Sequence, residues 1–143
     1  MQVTPDDRAV DDGALLSIVY LSTATTPFSE LDLALLLSSS RLSNQVRGLT
    51  GMLLHRGGRF LQALEGPEAT VRRVYDVIAA DPRHTDLRVI DEQAITERAF
   101  GSWAMGYRTL SDDDAPEWFG SPEAADVHGD SRATELLARF RAL

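Results

Sequence analysis

Cysteine is absent from the 143 residues. That removes thiol nucleophiles, disulfide scaffolds and thiolate-held zinc or iron–sulfur centres from consideration. Positive charge is scarce: 14 lysines and arginines stand against 22 acidic residues, for a formal net charge of −8. A general nucleic-acid binder needs a positive field to meet phosphate, so this balance argues against one. It leaves room for a small phosphate-bearing ligand held by one or two local arginines. No apolar run approaches the roughly 20 residues of a membrane-spanning helix. Met1-Gln2-Val3-Thr4-Pro5-Asp6-Asp7 lacks the basic-then-apolar pattern of a secretory signal. The expectation is a soluble, cytoplasmic protein with no nucleic-acid or membrane partner. His55, His84 and His128 lack metal-ligand spacing. No Gly-x-x-x-x-Gly-Lys phosphate loop occurs, and Ser38-Ser39-Ser40 has no His or acid in a readable relation to it. Neither a metal site nor a serine nucleophile is expected.

What remains is one domain's worth of sequence, long enough to bury a core without a staple. Residues 1–13 are polar and acidic and read as a flexible lead-in. Leu15 to Leu21 alternates as a strand, with Leu16, Ile18 and Tyr20 on one face. Thr26-Pro27 reads as a helix start, Thr as N-cap and Pro in the first helical position. The leucines from Leu31 to Leu37 fill that helix, which is expected to decay through the three serines and leave Asn44 just beyond it. Leu49–His55 and Arg59–Glu65 are strands joined through Gly57-Gly58, a hairpin signal because both glycines accept positive φ. Val71, Val74, Tyr75 and Ile78 mark one face of a second helix, closed by Asp81-Pro82. Leu87–Ala94 and Trp103–Leu110 read as two further strands. The order predicts an α+β, ferredoxin-like β-α-β-β-α-β-β fold, a mixed five-stranded sheet with two helices on one face. Residues 14–110 form the domain, and 111–143 a C-terminal helical extension. The apolar stripe of that extension (Ala133, Leu137, Phe140) must cover the sheet's other face or a partner.

One residue does not fit a plain core. In Arg59-Phe60-Leu61-Gln62-Ala63-Leu64-Glu65, strand alternation puts Gln62 between Phe60 and Leu64 on an apolar face. An unpartnered buried amide costs roughly 1–3 kcal/mol, so both ends of Gln62 want partners, and a bound polar ligand would supply them. With Tyr20 and Trp103 or Met105 on the same side of the sheet and Asn44 just after the first helix, a phenol, the Gln62 amide and an asparagine converge as a hydrogen-bonding set with no hydrolytic constellation. Each also has an ordinary reading: Tyr20, Trp103 and Met105 as packing, Asn44 as a turn residue. Arg83-His84 reads either as an anion contact or as a solvated surface pair.

Four stretches together resemble one family. Val19-Tyr20-Leu21-Ser22, Asn44 to Gly51 (NQVRGLTG), Arg59 to Gly66 (RFLQALEG) and Phe100 to Met105 (FGSWAM) resemble, in order and spacing, the BLUF family of blue-light sensors using FAD. The similarity runs from about Leu15 to Leu110. It implies FAD as cofactor, with FMN or riboflavin as alternatives. Under it Tyr20 passes an electron and then a proton to the excited flavin. Gln62 lies between that tyrosine and the flavin and rearranges its hydrogen bonds after light. Asn44 holds the ring edge, and Arg83 lies toward the ribityl or phosphate end. Met105 joins Tyr20, Asn44, Gln62 and Arg83 in cofactor binding, and Trp103 and Met105 carry the signal outward. Ser43 departs from the family, some members of which carry His or Asn there. The resemblance implies a photoreceptor that is not an enzyme and acts through an unidentified downstream protein or a homo-oligomer. Two readings from other classes stand beside it. An acylphosphatase-like module would want an Arg in a phosphate-cradling loop, and Ser22 to Phe28 has none. A flavin enzyme would want a nicotinamide fingerprint, also missing.

Overall fold

The computed structural model describes residues 14–101, 104–111, 113–116, 119, 135–137 and 139. The lead-in expected over 1–13 lies outside these residues, as do Trp103, Ala133 and Phe140. Seven elements follow in order: β1 (Leu15–Ala24), α1 (Glu30–Arg47), β2 (Thr50–Arg56), β3 (Arg59–Pro67), α2 (Glu68–Ala79), β4 (His84–Ile95) and β5 (Gly106–Thr109). The strands lie in the order β4-β1-β3-β2-β5. β1 and β2 both pair antiparallel with β3 between them, and β5 adds parallel to β2. This is the expected split βαβ arrangement in a mixed sheet.

Strand alternation divides the core in two. Leu16, Ile18 and Tyr20 of β1, with Leu53, Phe60 and Leu64, pack against Leu33 and Leu37 of α1 and Val71 and Val74 of α2. Val19, Leu21, Met52, Leu54 and Leu61 face the other way and meet Phe100, Phe119, Leu136 and Leu137. The helical residues Leu136 and Leu137 therefore cover the sheet face opposite α1 and α2, one of the two places open to the C-terminal extension from sequence. Gly57 and Gly58 close the β2–β3 hairpin at φ 56° and 79°, the left-handed region for which a pair of glycines is suited.

Several boundaries differ from the sequence expectation: β1 runs on to Ala24, β4 begins at His84, and three further limits involve α1 and β5. The N-cap of α1 is Ser29, not Thr26, and it forms a reciprocal capping box with Asp32. The segment before it is used otherwise: Thr25 bonds through its amide to the Arg83 carbonyl and through its hydroxyl to the Pro82 carbonyl. The helix also does not decay at the serines. It runs to Arg47 and ends on Gly48 in the left-handed conformation. Leu33, Leu37 and Asn44 are its buried residues. They recur at one-turn and two-turn spacing, and their packing outweighs the modest helix propensity of serine. Asn44 is thus a helix residue, aimed inward from the last turns of α1. Finally, β5 starts at Gly106 rather than Trp103. The carbonyls of Ala104 and Met105 accept from side chains of α1 (Asn44 Nδ2 at 2.7 Å, Arg41 Nε at 2.9 Å).

Candidate functional site

The register of β1 on β3 sets Tyr20 directly opposite Gln62. Both face the helices, and the Tyr20 hydroxyl donates a hydrogen bond to Gln62 Oε1. On the other side of the amide, Gln62 Nε2 points at Met105 Sδ, 3.5 Å away. A thioether is a weak acceptor, so this contact leaves most of the NH2 donor capacity unspent. Tyr20 is almost fully buried, and its ring meets Tyr75 of α2 edge to face at 5.3 Å. Burial, with the neighbouring Tyr75 phenol adding to it, pushes the Tyr20 phenol well above its ordinary value, so the proton is held on Oη. Met105 is buried against the same cluster. Gly51, on the helix-facing side of β2, leaves room for it. A Cβ added there would fall on the Ala63 carbonyl and lie 3.4 Å from Met105 Cε.

These residues open onto a cavity of about 250 Å³ between the sheet and the two helices. Leu36 and Leu37 of α1, Leu53 and Phe60 of the sheet, and Val74 and Ile78 of α2 form apolar walls. Tyr20, Ser40, Ser43, Asn44 and Gln62 supply polar groups. The volume sits at the small end of the roughly 300–1,000 Å³ usual for ligand pockets. A flat ring system with a polar edge suits it, and a longer tail must leave through the mouth. Arg83 lines both that mouth and an adjoining depression shared with Thr26, Phe28 and Asp32. Its guanidinium grips Asp81 with contacts of 2.6–3.0 Å, which holds the Asp81 carboxyl down at about 2. His84 also lines the cavity; Nε2 faces the Ile78 carbonyl at 2.6 Å and Nδ1 the Ser22 hydroxyl at 3.0 Å. It is therefore neither the anion contact nor the solvated partner of Arg83 considered from sequence, but a strut between β4, β1 and α2.

Tyr20, Asn44, Gln62, Arg83 and Met105 thus come together around one cavity. Trp103 lies outside the described residues. The sequence reading passed over Arg41, which fixes the Met105 carbonyl, and Arg47, which lines the cavity. It also passed over Glu65. Among the described residues no group of His, Asp or Glu could hold a metal ion. No helix among them is long and apolar enough to cross a membrane. The donor set fits a flavin: apolar walls for the ring faces, with an amide of dual donor and acceptor character and an asparagine for the polar edge.

Comparison with known proteins agrees with this geometry. Residues 15–106 match the model of a family described as BLUF, sensors of blue-light using FAD. The photoactivated adenylate cyclase subunit beta of Euglena gracilis is 38% identical over 102 residues, 71% of this chain. The matched part is only 12% of that relative's length. Among solved structures, the dark state of BlrB, a BLUF protein, superposes with a TM-score of 0.78 at 30% identity, covering 93% of this chain and 98% of that one. Klebsiella pneumoniae BlrP1 with FMN and cyclic diGMP gives a TM-score of 0.67 at 27% identity, covering 90% of this chain and 34% of that one.

Proposed function

This chain belongs to the BLUF family of blue-light sensors using FAD, and we propose that Tyr20, Gln62 and Met105 are the parts through which it works as a photoreceptor. The observation that carries the assignment is the single line of contacts from the Tyr20 hydroxyl through the Gln62 amide to Met105. Bound flavin supplies the blue absorption and the capacity to take up an electron and a proton. Tyr20 is the donor. Its proton sits on Oη until an electron leaves the ring, because burial disfavours the phenolate. The hydrogen bond to Gln62 Oε1 gives that proton a direction of travel. Gln62 is the switch. Exchanging Oε1 and Nε2 leaves the side-chain volume unchanged but inverts donor and acceptor toward Tyr20 and toward Met105. Two arrangements of nearly equal packing are what a two-state signal requires. Purified with flavin supplied, the protein is expected to show a reversible red shift of the flavin band in blue light. A colourless protein, or a band that light does not move, would contradict the reading.

We assign Asn44 to the ring edge and Arg83 to the polar tail. Arg83→Ala should weaken binding of FAD while leaving riboflavin, which has no phosphate, nearly unaffected, as read by titration of the apoprotein. An equal loss for both flavins would remove Arg83 from the site. The chain's part in signalling is sensory, not enzymatic. Phe119, Leu136 and Leu137 pack on the sheet, a surface through which the change reaches a downstream protein partner. Absence of cysteine suits a reducing, cytoplasmic setting. Leu31, Leu35, Leu42 and Val46 form an exposed apolar stripe along the outer face of α1, which supports self-association. Sedimentation as a monomer in both darkness and light would rule that out.

A further inference from the structure

We propose that Glu65 is a positioning residue for the switch, a buried clamp that holds the chain leading to Met105 and so fixes the Met105–Gln62 contact. The inference rests on the reading of Gln62 as the switch. Glu65 lies three residues beyond Gln62 on β3 and so faces the opposite side of the sheet. It is 2% exposed, an unusual place for a carboxylate. Its oxygens are well occupied. Oε2 accepts from the Ala99 amide at 2.7 Å, and Oε1 from the Phe100 amide at 2.9 Å and the Thr50 hydroxyl at 3.0 Å. Arg98 joins the cluster, donating from Nη1 to Thr50 Oγ1 at 3.0 Å.

Position gives the clamp its consequence. Phe100 precedes Met105 by five residues, a chain length that reaches roughly 16–18 Å at most. Asn44 and Arg41 hold the far end by the carbonyls of Ala104 and Met105. Glu65 holds the near end from the strand that carries Gln62. A change at the amide that moves Met105 therefore works against the Asn44 and Arg41 bonds at the far end and passes along a short tether to the end that Glu65 holds. That end is Phe100, whose side chain packs with Leu136 and Leu137 on the sheet face opposite α1 and α2. Glu65 thereby connects the cavity side of β3 to the C-terminal residues on the other side.

Glu65→Gln tests this, since a glutamine cannot accept at both positions: its NH2 must oppose one of the two amides. In the dark, hydrogen exchange at the Ala99 and Phe100 amides should rise about tenfold or more, which corresponds to about 1.4 kcal/mol of lost protection. Flavin binding and the light-induced red shift should persist, with dark recovery altered several-fold. Thr50→Val, which removes the hydroxyl bonded to Glu65 and to Arg98 but leaves the two backbone amides on the carboxylate, should move both readouts in the same direction by less, and it decides the matter where Glu65→Gln does not fold. Wild-type exchange at Ala99 and Phe100, or a lowered Tm with unchanged recovery, would overturn the proposal. Failure of the wild-type red shift would instead sink the reading of Gln62, because the dark exchange measurement needs no light response.

Discussion

Gln62→Leu is expected to fold, to bind flavin, and to give no reversible red shift under blue light. Leucine fills a similar half-buried volume between Phe60 and Leu64, so packing on α1 and α2 is retained. What it removes is both ends of the amide: the acceptor for the Tyr20 hydroxyl and the donor facing Met105. The buried hydroxyl of Tyr20 then lacks its acceptor, at a cost of about 1–3 kcal/mol. New apolar burial at position 62 offsets part of that, so Tm should fall by only a few degrees while the photocycle is lost completely. Absorbance before and after illumination, with a thermal melt on the same sample, reads both effects. A wild-type photocycle in this variant would remove Gln62 from the mechanism.

Tyr20→Phe should lose the photocycle by a different route. The ring remains and keeps its edge-to-face contact with Tyr75, but the hydroxyl proton and the readily oxidised phenol are gone. Gln62 Oε1 loses one neutral hydrogen bond, roughly 1 kcal/mol of stability. The two effects separate cleanly in pH. The Tyr20 phenol is held above its ordinary value of 10.0 in the folded protein, chiefly by burial. Below that value both folded and unfolded Tyr20 are protonated, and the phenol's contribution to stability is fully present. Above it the unfolded phenol ionises first, so stability is lost as pH rises toward the folded value. Tyr20→Phe should therefore be the less alkali-sensitive protein in equilibrium unfolding above pH 10, while staying unresponsive to light at every pH. Difference spectra that match wild type would reject the electron and proton role of Tyr20.

Much of the fold was legible because strands and hairpins declare themselves locally. Alternation along Leu15–Leu21 and Arg59–Glu65 assigned Tyr20 and Gln62 to one face, and the β1–β3 register then set them opposite one another. Gly57-Gly58 marked the β2–β3 hairpin. Helix limits were harder, because they depend on what the helix packs against. Three serines in a row read as decay, yet Leu33, Leu37 and Asn44 carry one inward face of α1 across them. The true cap, Ser29 with Asp32 three residues on, was present as a pattern and was masked by the stronger-looking Thr-Pro pair. Glu65 shows the limit most clearly. Its partners Ala99 and Phe100 are more than thirty residues away, with nothing local to announce them. The usable signal was the one that exposed Gln62: a polar side chain, here a charge, on an apolar strand face beside Leu61 and Ala63.

Asn44 and Met105 show how the two levels join. From sequence they were an asparagine near a helix end and a methionine on a strand. In the fold, Asn44 and Arg41 hold the Ala104 and Met105 carbonyls out of the sheet ladder. That shortens β5 and leaves the methionine sulfur against the amide of Gln62. A structural irregularity at the start of a strand is thus the place where, under the proposed mechanism, the amide meets its readout.

The most direct test of Gln62 as the switch is light-minus-dark infrared difference spectroscopy on protein labelled with carbon-13 at the glutamine side-chain carbonyl. Exchange of Oε1 and Nε2 between Tyr20 and Met105 predicts an isotope-sensitive carbonyl difference band that appears with the red shift, decays with it in the dark, and is missing in Gln62→Leu. A photocycle that runs with no isotope-sensitive glutamine band would contradict the account.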